Sequence, residues 1–152
     1  MNKNKLSWKK GKGKLGHLAP LMGKWKAETE SPMGHLICTR SFESILGGKY
    51  VQLNASWKFA KYSYDETAIY GVDKDGKLSF WSFTSDGKQS QGKLSKAVDV
   101  HPEAICFEAQ MPAGIARMIY WPDEQEGFHW AVESKTKKGW NRFTKHHYKK
   151  SE

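Results

Sequence analysis

Between Tyr50 and Phe59 apolar residues take every second position. Val51, Leu53, Ala55, Trp57 and Phe59 alternate with Tyr50, Gln52, Asn54, Ser56 and Lys58. A period of two places successive side chains on opposite faces of an extended chain, so this stretch predicts a β-strand with one apolar and one mixed face. The same period recurs at Trp25, Ala27 and Thr29, which alternate with Lys24, Lys26 and Glu28, and again over His35–Ser44, Thr67–Val72 and Leu78–Thr84. Gln89–Ala97 reads as a polar strand, and Glu103–Gln110, Ile115–Trp121, Phe128–Ser134 and Trp140–Tyr148 complete the set. Between the strands lie turn-forming groups: Ser31-Pro-Met-Gly34, Leu46-Gly-Gly48, Asp73-Lys-Asp-Gly76, Ser85-Asp-Gly87, Pro112-Ala-Gly114, Pro122-Asp123 and Lys138-Gly139. Two contain Asp-Gly, a strong hairpin signal because both residues tolerate the backbone of a tight reversal.

One segment breaks the pattern. Leu15, Leu18, Leu21 and Met22 fall at helical spacing ahead of Gly23, with Pro20 limiting regularity, which predicts a short N-terminal helix running into the first strand. A meander of nine or ten strands must roll up, since an open sheet leaves two long edges and an uncovered apolar face. The expected fold is therefore all-β: a single antiparallel up-and-down barrel of 9–10 strands over residues 14–150, preceded by a flexible basic arm over residues 1–13. A barrel of this size encloses either packed side chains or one small ligand.

Composition sharpens this reading. The chain of 152 residues is the size of one domain, and 13% aromatic content with seven Trp suits pleated walls and leaves material to line a pocket. The formal charge is +9, but six of those charges are lysines within the first fourteen residues, ahead of any acidic residue. The body is nearly balanced, so no specific nucleic-acid partner is expected. Cys38 and Cys106 stand far apart without metal-ligand spacing and read as reduced packing residues. No signal-peptide pattern and no run of 18 apolar residues is present, which predicts a cytoplasmic protein without a membrane span.

Candidate chemistry centres on the strand-borne aromatics. Trp57, Tyr70, Trp81, Phe107 and Trp130, with Phe80 and Phe83 nearby, supply an inward-facing lining for a small apolar or amphipathic molecule. Arg117 and His129 are polar residues in otherwise apolar strands, at the rim of such a pocket or within it, where either can orient an anionic head group; the alternative for Arg117 is a surface-facing side chain that snorkels. Catalysis is not expected, because no Ser or Cys nucleophile sits in an elbow motif and Gly11-Lys-Gly-Lys14 lacks the spacing of a phosphate loop. His129 with Glu133 or Glu108 forms an acid–base pair only where the strands bring them together. Asp73-Lys-Asp-Gly76 lacks the terminal Glu of a calcium loop and reads as a plain turn. No metal or cofactor is expected, and the oligomeric state is expected to be monomer or homodimer.

Four pieces of the chain resemble a lipocalin-like, calycin-type barrel family of uncharacterised, mostly bacterial proteins. They are Leu21-Met-Gly-Lys-Trp25, Leu46-Gly-Gly-Lys-Tyr50, Ile69-Tyr-Gly-Val-Asp73 and Tyr148-Lys-Lys150, in order from about residue 15 to 150. The resemblance implies a closed barrel whose first Trp, Trp25 after Gly23, plugs the base beside a basic residue of the last strand: Arg142, Lys149 or Lys150. A more distant similarity, through Gly23-Lys-Trp25, is to nitrobindin-type barrels, which bind haem through a histidine near the last strand. His146 and His147 occupy that region in Lys145-His-His-Tyr148. The surrounding lysines predict a strand end in water, whereas haem requires a neutral imidazole on a dry face. The expected function is non-catalytic binding of a small hydrophobic or amphipathic ligand, with haem binding or an enzyme using the pocket as alternatives.

Overall fold

The computed structural model describes residues 8–151. A 3-10 helix, Leu15–Leu21, leads into ten strands: β1 (Gly23–Ser31), β2 (Gly34–Ile45), β3 (Tyr50–Lys58), β4 (Ser63–Val72), β5 (Leu78–Thr84), β6 (Gln89–Ser95), β7 (Ile105–Met111), β8 (Gly114–Pro122), β9 (Phe128–Thr136) and β10 (Gly139–Lys150). Each strand pairs antiparallel with the next, and β1 pairs with β10, so the sheet closes into an up-and-down barrel. The helix is tighter than the amphipathic turn expected from leucine spacing. It contains Pro20, which cannot donate a backbone hydrogen bond. Of the expected flexible arm, residues 1–7 lie outside the described residues. Trp8 is half-buried, with its ring edge-on to Phe128 at 6.5 Å.

The barrel has two unlike ends. At the base, Leu18 and Leu21 of the helix are fully buried beneath the strands. The Trp25 indole Nε1 donates to the Leu21 carbonyl at 2.7 Å, and its ring meets Phe128 edge-on at 4.7 Å. The Lys150 ammonium stands 4.7 Å from the centre of that ring. The basic partner of the plug is thus Lys150 and not Arg142. Register explains the difference, because Trp25 lies opposite Lys150 across the β1–β10 seam whereas Arg142 lies opposite Glu133 on β9. Gly23 has a φ of +113°, a conformation that side chains disfavour, and it lets the chain swing from helix into β1. Above the plug, Phe42, Tyr70, Phe80, Phe107, Tyr120 and Phe128 are buried and meet largely edge-on or tilted, filling this half of the interior.

The wall is doubled over β7–β9. Residues 96–104 leave the sheet and fold against its outside, burying Ala97 against Cys106 and Ile119. This corrects the expected extents of β6 and β7, since Ala97 and Glu103 belong to the covering segment and not to strands. It also explains why Ile115–Trp121 is apolar on both faces: the outward-facing side chains of β8 are themselves covered. At the β4–β5 reversal the Asp73 carboxylate accepts the backbone N–H groups of Asp75 and Lys77, each at 2.9 Å. The Lys77 backbone hydrogen bond is the largest influence holding that carboxyl well below the usual range. Its oxygens are thereby engaged in turn formation. No helix among the described residues is long and apolar enough to cross a membrane.

Removing the plug tests this account of the base. Trp25→Ala is expected to lower unfolding free energy by about 3–5 kcal/mol, through lost burial and a cavity. Trp25→Phe, which chiefly loses the indole hydrogen bond, is expected to cost about 1 kcal/mol. Urea denaturation followed by far-UV circular dichroism distinguishes the two, and equal costs would contradict the hydrogen bond's part in the plug.

Candidate functional site

The end opposite the helix is hollow. A cavity of about 300 Å³ opens among the β5–β6, β7–β8 and β9–β10 hairpins, with Trp57, Tyr64, Met118, Trp130 and Val132 as its apolar wall and Arg40, Glu66 and Ser82 among its polar groups. These positions are in phase across neighbouring strands. Arg40 pairs with Ala55, Ala55 with Glu66, Trp57 with Tyr64, and Met118 with Val132, so the pleat directs all of them inward. Thr84, Lys88 and Gln89 form part of the rim. Phe143, beside a register shift in β10, also reaches the cavity and remains 60% exposed. A larger groove of about 800 Å³ lies on the outer wall, where Trp81 and a Lys93–Asp73 ion pair of 3.1 Å border it. It is shaped by barrel curvature and outward side chains, so the inner cup is the better candidate for enclosing a ligand.

Arg40 is the unusual member of the cup. It is 1% exposed, its Nη2 donates to the Tyr120 hydroxyl at 3.0 Å, and its Nε has no hydrogen-bond partner. Its guanidinium carbon lies 4.8 Å from the Trp130 ring centre and 5.6 Å from that of Tyr120. These aromatic faces offset part of the loss of water around the charge. Glu66 accepts the Ser82 hydroxyl at 2.5 Å. Trp130 Nε1 and the Tyr70 hydroxyl are also buried without partners. Tyr120 influences the Tyr70 hydroxyl, but no bond of acceptable geometry joins them, and burial pushes the Tyr70 hydroxyl's titration upward.

His146 lies behind the aromatic wall, 5% exposed, with the Trp57 and Trp130 rings each 5.0 Å away. Its Nε2 faces Cys38 Sγ at 4.0 Å and its Nδ1 faces the Tyr148 hydroxyl at 3.4 Å. Burial, then the Arg40 charge, lowers its pKa to about 4, so the imidazole is neutral near pH 7. This corrects the expectation that both histidines of the pair lie at a watery strand end. Alternation sends His146 inward, in phase with Tyr148, and leaves only His147 outside. His147 bonds Asp123 at 2.8 Å and stacks on His129 at 4.4 Å. Burial raises the Cys38 thiol to about 11 and the Cys106 thiol to about 12, which keeps both protonated and poorly nucleophilic.

Of the lining expected from sequence, Trp57 and Trp130 face the cup. Tyr70 and Phe107 are inward but belong to the packed base, where their rings are 5.1 Å apart. Trp81 lies on the outer face of β5, because Phe80 and Ser82 take the inward phase. Arg117 is also on the outside. It is buried under the covering segment, bonded to Glu133 at 2.8 Å and through both terminal nitrogens to Asp99 at 3.1 and 2.7 Å. Arg142 bonds the other Glu133 oxygen at 2.9 Å, so this outer network is internally neutralised and holds the covering segment in place. His129, opposite Trp121 and His147, is outside as well and is not paired with Glu133 or Glu108. Sequence reading missed Arg40 and Glu66, and named His146 only for the haem alternative, at a strand end in water. Their signal was a polar residue in the apolar phase: Arg40 with Leu36, Cys38 and Phe42, Glu66 with Ala68 and Tyr70, and His146 with Tyr148.

Among the described residues no group of three His, Cys, Asp or Glu converges as a metal site would require. No family model matches the chain. No match to a curated protein was found either.

The neutral burial of His146 has a consequence for stability. Its folded pKa lies below the unfolded value near 6.5, so its contribution is complete above pH 6.5, declines as pH falls, and is lost below about 4. The full loss is about 3 kcal/mol. Urea unfolding of the native chain at pH 7 and pH 5 is expected to show a stability decrease that shrinks in His146→Phe. An identical pH slope in the two proteins would contradict the neutral imidazole.

Proposed function

We propose that the protein is a lipocalin-like binding barrel that holds one small apolar or amphipathic molecule in the cup without transforming it. The observation carrying this reading is the cup itself: about 300 Å³ inside the barrel, bounded by apolar side chains with a few inward polar groups. That combination suits a small-molecule pocket, where apolar walls provide affinity and sparse polar groups set orientation. The packed base supports the reading from the other side. It supplies a rigid floor, so little conformational freedom is lost when a guest enters.

The polar groups of the cup favour holding over chemistry. Cys38 is a protonated thiol beyond the aromatic wall, and the two nitrogens of His146 face protein partners. The same orientation of His146 gives no support to iron ligation by its imidazole. Trp57 and Trp130, which line the cup, provide an intrinsic optical signal for a bound guest.

A neutral apolar fluorophore, N-phenylnaphthylamine, is expected to bind with one-to-one stoichiometry, brightening as tryptophan emission is quenched. Val132→Trp, which fills the cup, is expected to weaken uptake by at least ~tenfold through loss of buried apolar contact. Circular dichroism checks that the variant remains folded. Absence of uptake by the native chain, or equal uptake by the filled variant, would overturn the assignment.

A further inference from the structure

We propose that the occupant of the cup is a monocarboxylate, its head group seated against the Arg40 guanidinium and the Trp130 indole N–H. This rests on the reading of the cup as a binding site and specifies the chemistry of its guest. Arg40 is 1% exposed, and no Asp or Glu oxygen lies within ion-pair distance of it among the described residues. A cation removed from water with no carboxylate in contact is strongly disfavoured, and the Glu66 charge, on the same inner wall, favours it only from a distance. The faces of Trp130 and Tyr120 and the Tyr120 hydroxyl compensate for part of this, but they leave the in-plane Nε donor unused.

The unpaired group beside Arg40 has the same polarity. Trp130 Nε1 is a donor only and has no acceptor, and its ring lies against Arg40. Two donors left over side by side favour an acceptor-rich guest, and a carboxylate offers two oxygens in the plane that a guanidinium fork matches.

Glu66 limits the charge of that guest. It shares the cup, is engaged by Ser82, and adds a negative group on the same inner wall. A dianion such as a phosphate monoester would meet more repulsion than a single carboxylate. The apolar upper wall of Trp57, Met118 and Val132 suits an aliphatic or aryl tail on the acid.

Isothermal titration with decanoate and with decanol, a neutral molecule of the same chain length, separates head-group recognition from cavity filling. The native protein is expected to bind decanoate at least ~tenfold more tightly than decanol, as a charge-assisted pair against a neutral one. Arg40→Leu is expected to erase that preference while retaining decanol binding. Glu66→Gln is expected to tighten decanoate and leave decanol unchanged. Equal affinities in the native protein would refute the head-group assignment while leaving the cup as a binding site. Failure to bind either molecule would refute both. Should Arg40→Leu not fold, Glu66→Gln decides, since unchanged decanoate affinity in that variant contradicts a carboxylate seated near Glu66.

Discussion

The barrel depends on a short seam. β1 and β10 pair through only Trp25–Lys150 and Lys26–Lys149, whereas β1 and β2 pair over nine positions. A hydrogen bond from the Ser151 backbone N–H to the Lys24 carbonyl, 2.9 Å, extends the seam by one link. So brief a ladder gains strength from the side chains around it. Trp25 joins the 3-10 helix through its indole N–H, β9 through Phe128, and β10 through the Lys150 ammonium. The seam that closes the cylinder and the plug that closes its base therefore share one residue, Trp25.

This arrangement separates the interior into two zones. Below, interlocked aromatic rings pack against one another and give the barrel its floor. Above, smaller inward residues such as Ala55 and Ser82, with the unbranched Met118, leave the volume that forms the cup. Arg40 and His146 lie near the junction, both drawn out of water. The fold tolerates them by opposite means: the imidazole gives up its charge, and the guanidinium keeps its charge against aromatic faces.

Much of the architecture was legible because period-two alternation survives in nearly every strand. The turn chemistry of Asp73-Lys-Asp-Gly76 and Ser85-Asp-Gly87 then fixed where the meander reverses. What alternation cannot supply is which phase faces in when both faces are apolar. Trp81 is expected inside for that reason, and the place of Arg117 stays open between rim, interior and surface. In β8 the ambiguity came from a second layer, residues 96–104, whose contact with Cys106 and Ile119 is non-local. Arg40 and Glu66 were visible as polar residues in the apolar phase, but a count of aromatics drew attention away from them. The lysines around His146 and His147 likewise suggested water for both, although neighbouring strand residues point to opposite faces.

The covering segment makes the cylinder mechanically uneven. Over β7–β9 an additional layer is bolted on by the Arg117–Asp99 fork, while β6 is stitched to its neighbours by only five residue pairs on one side and four on the other. One flank is therefore armoured and the other compliant.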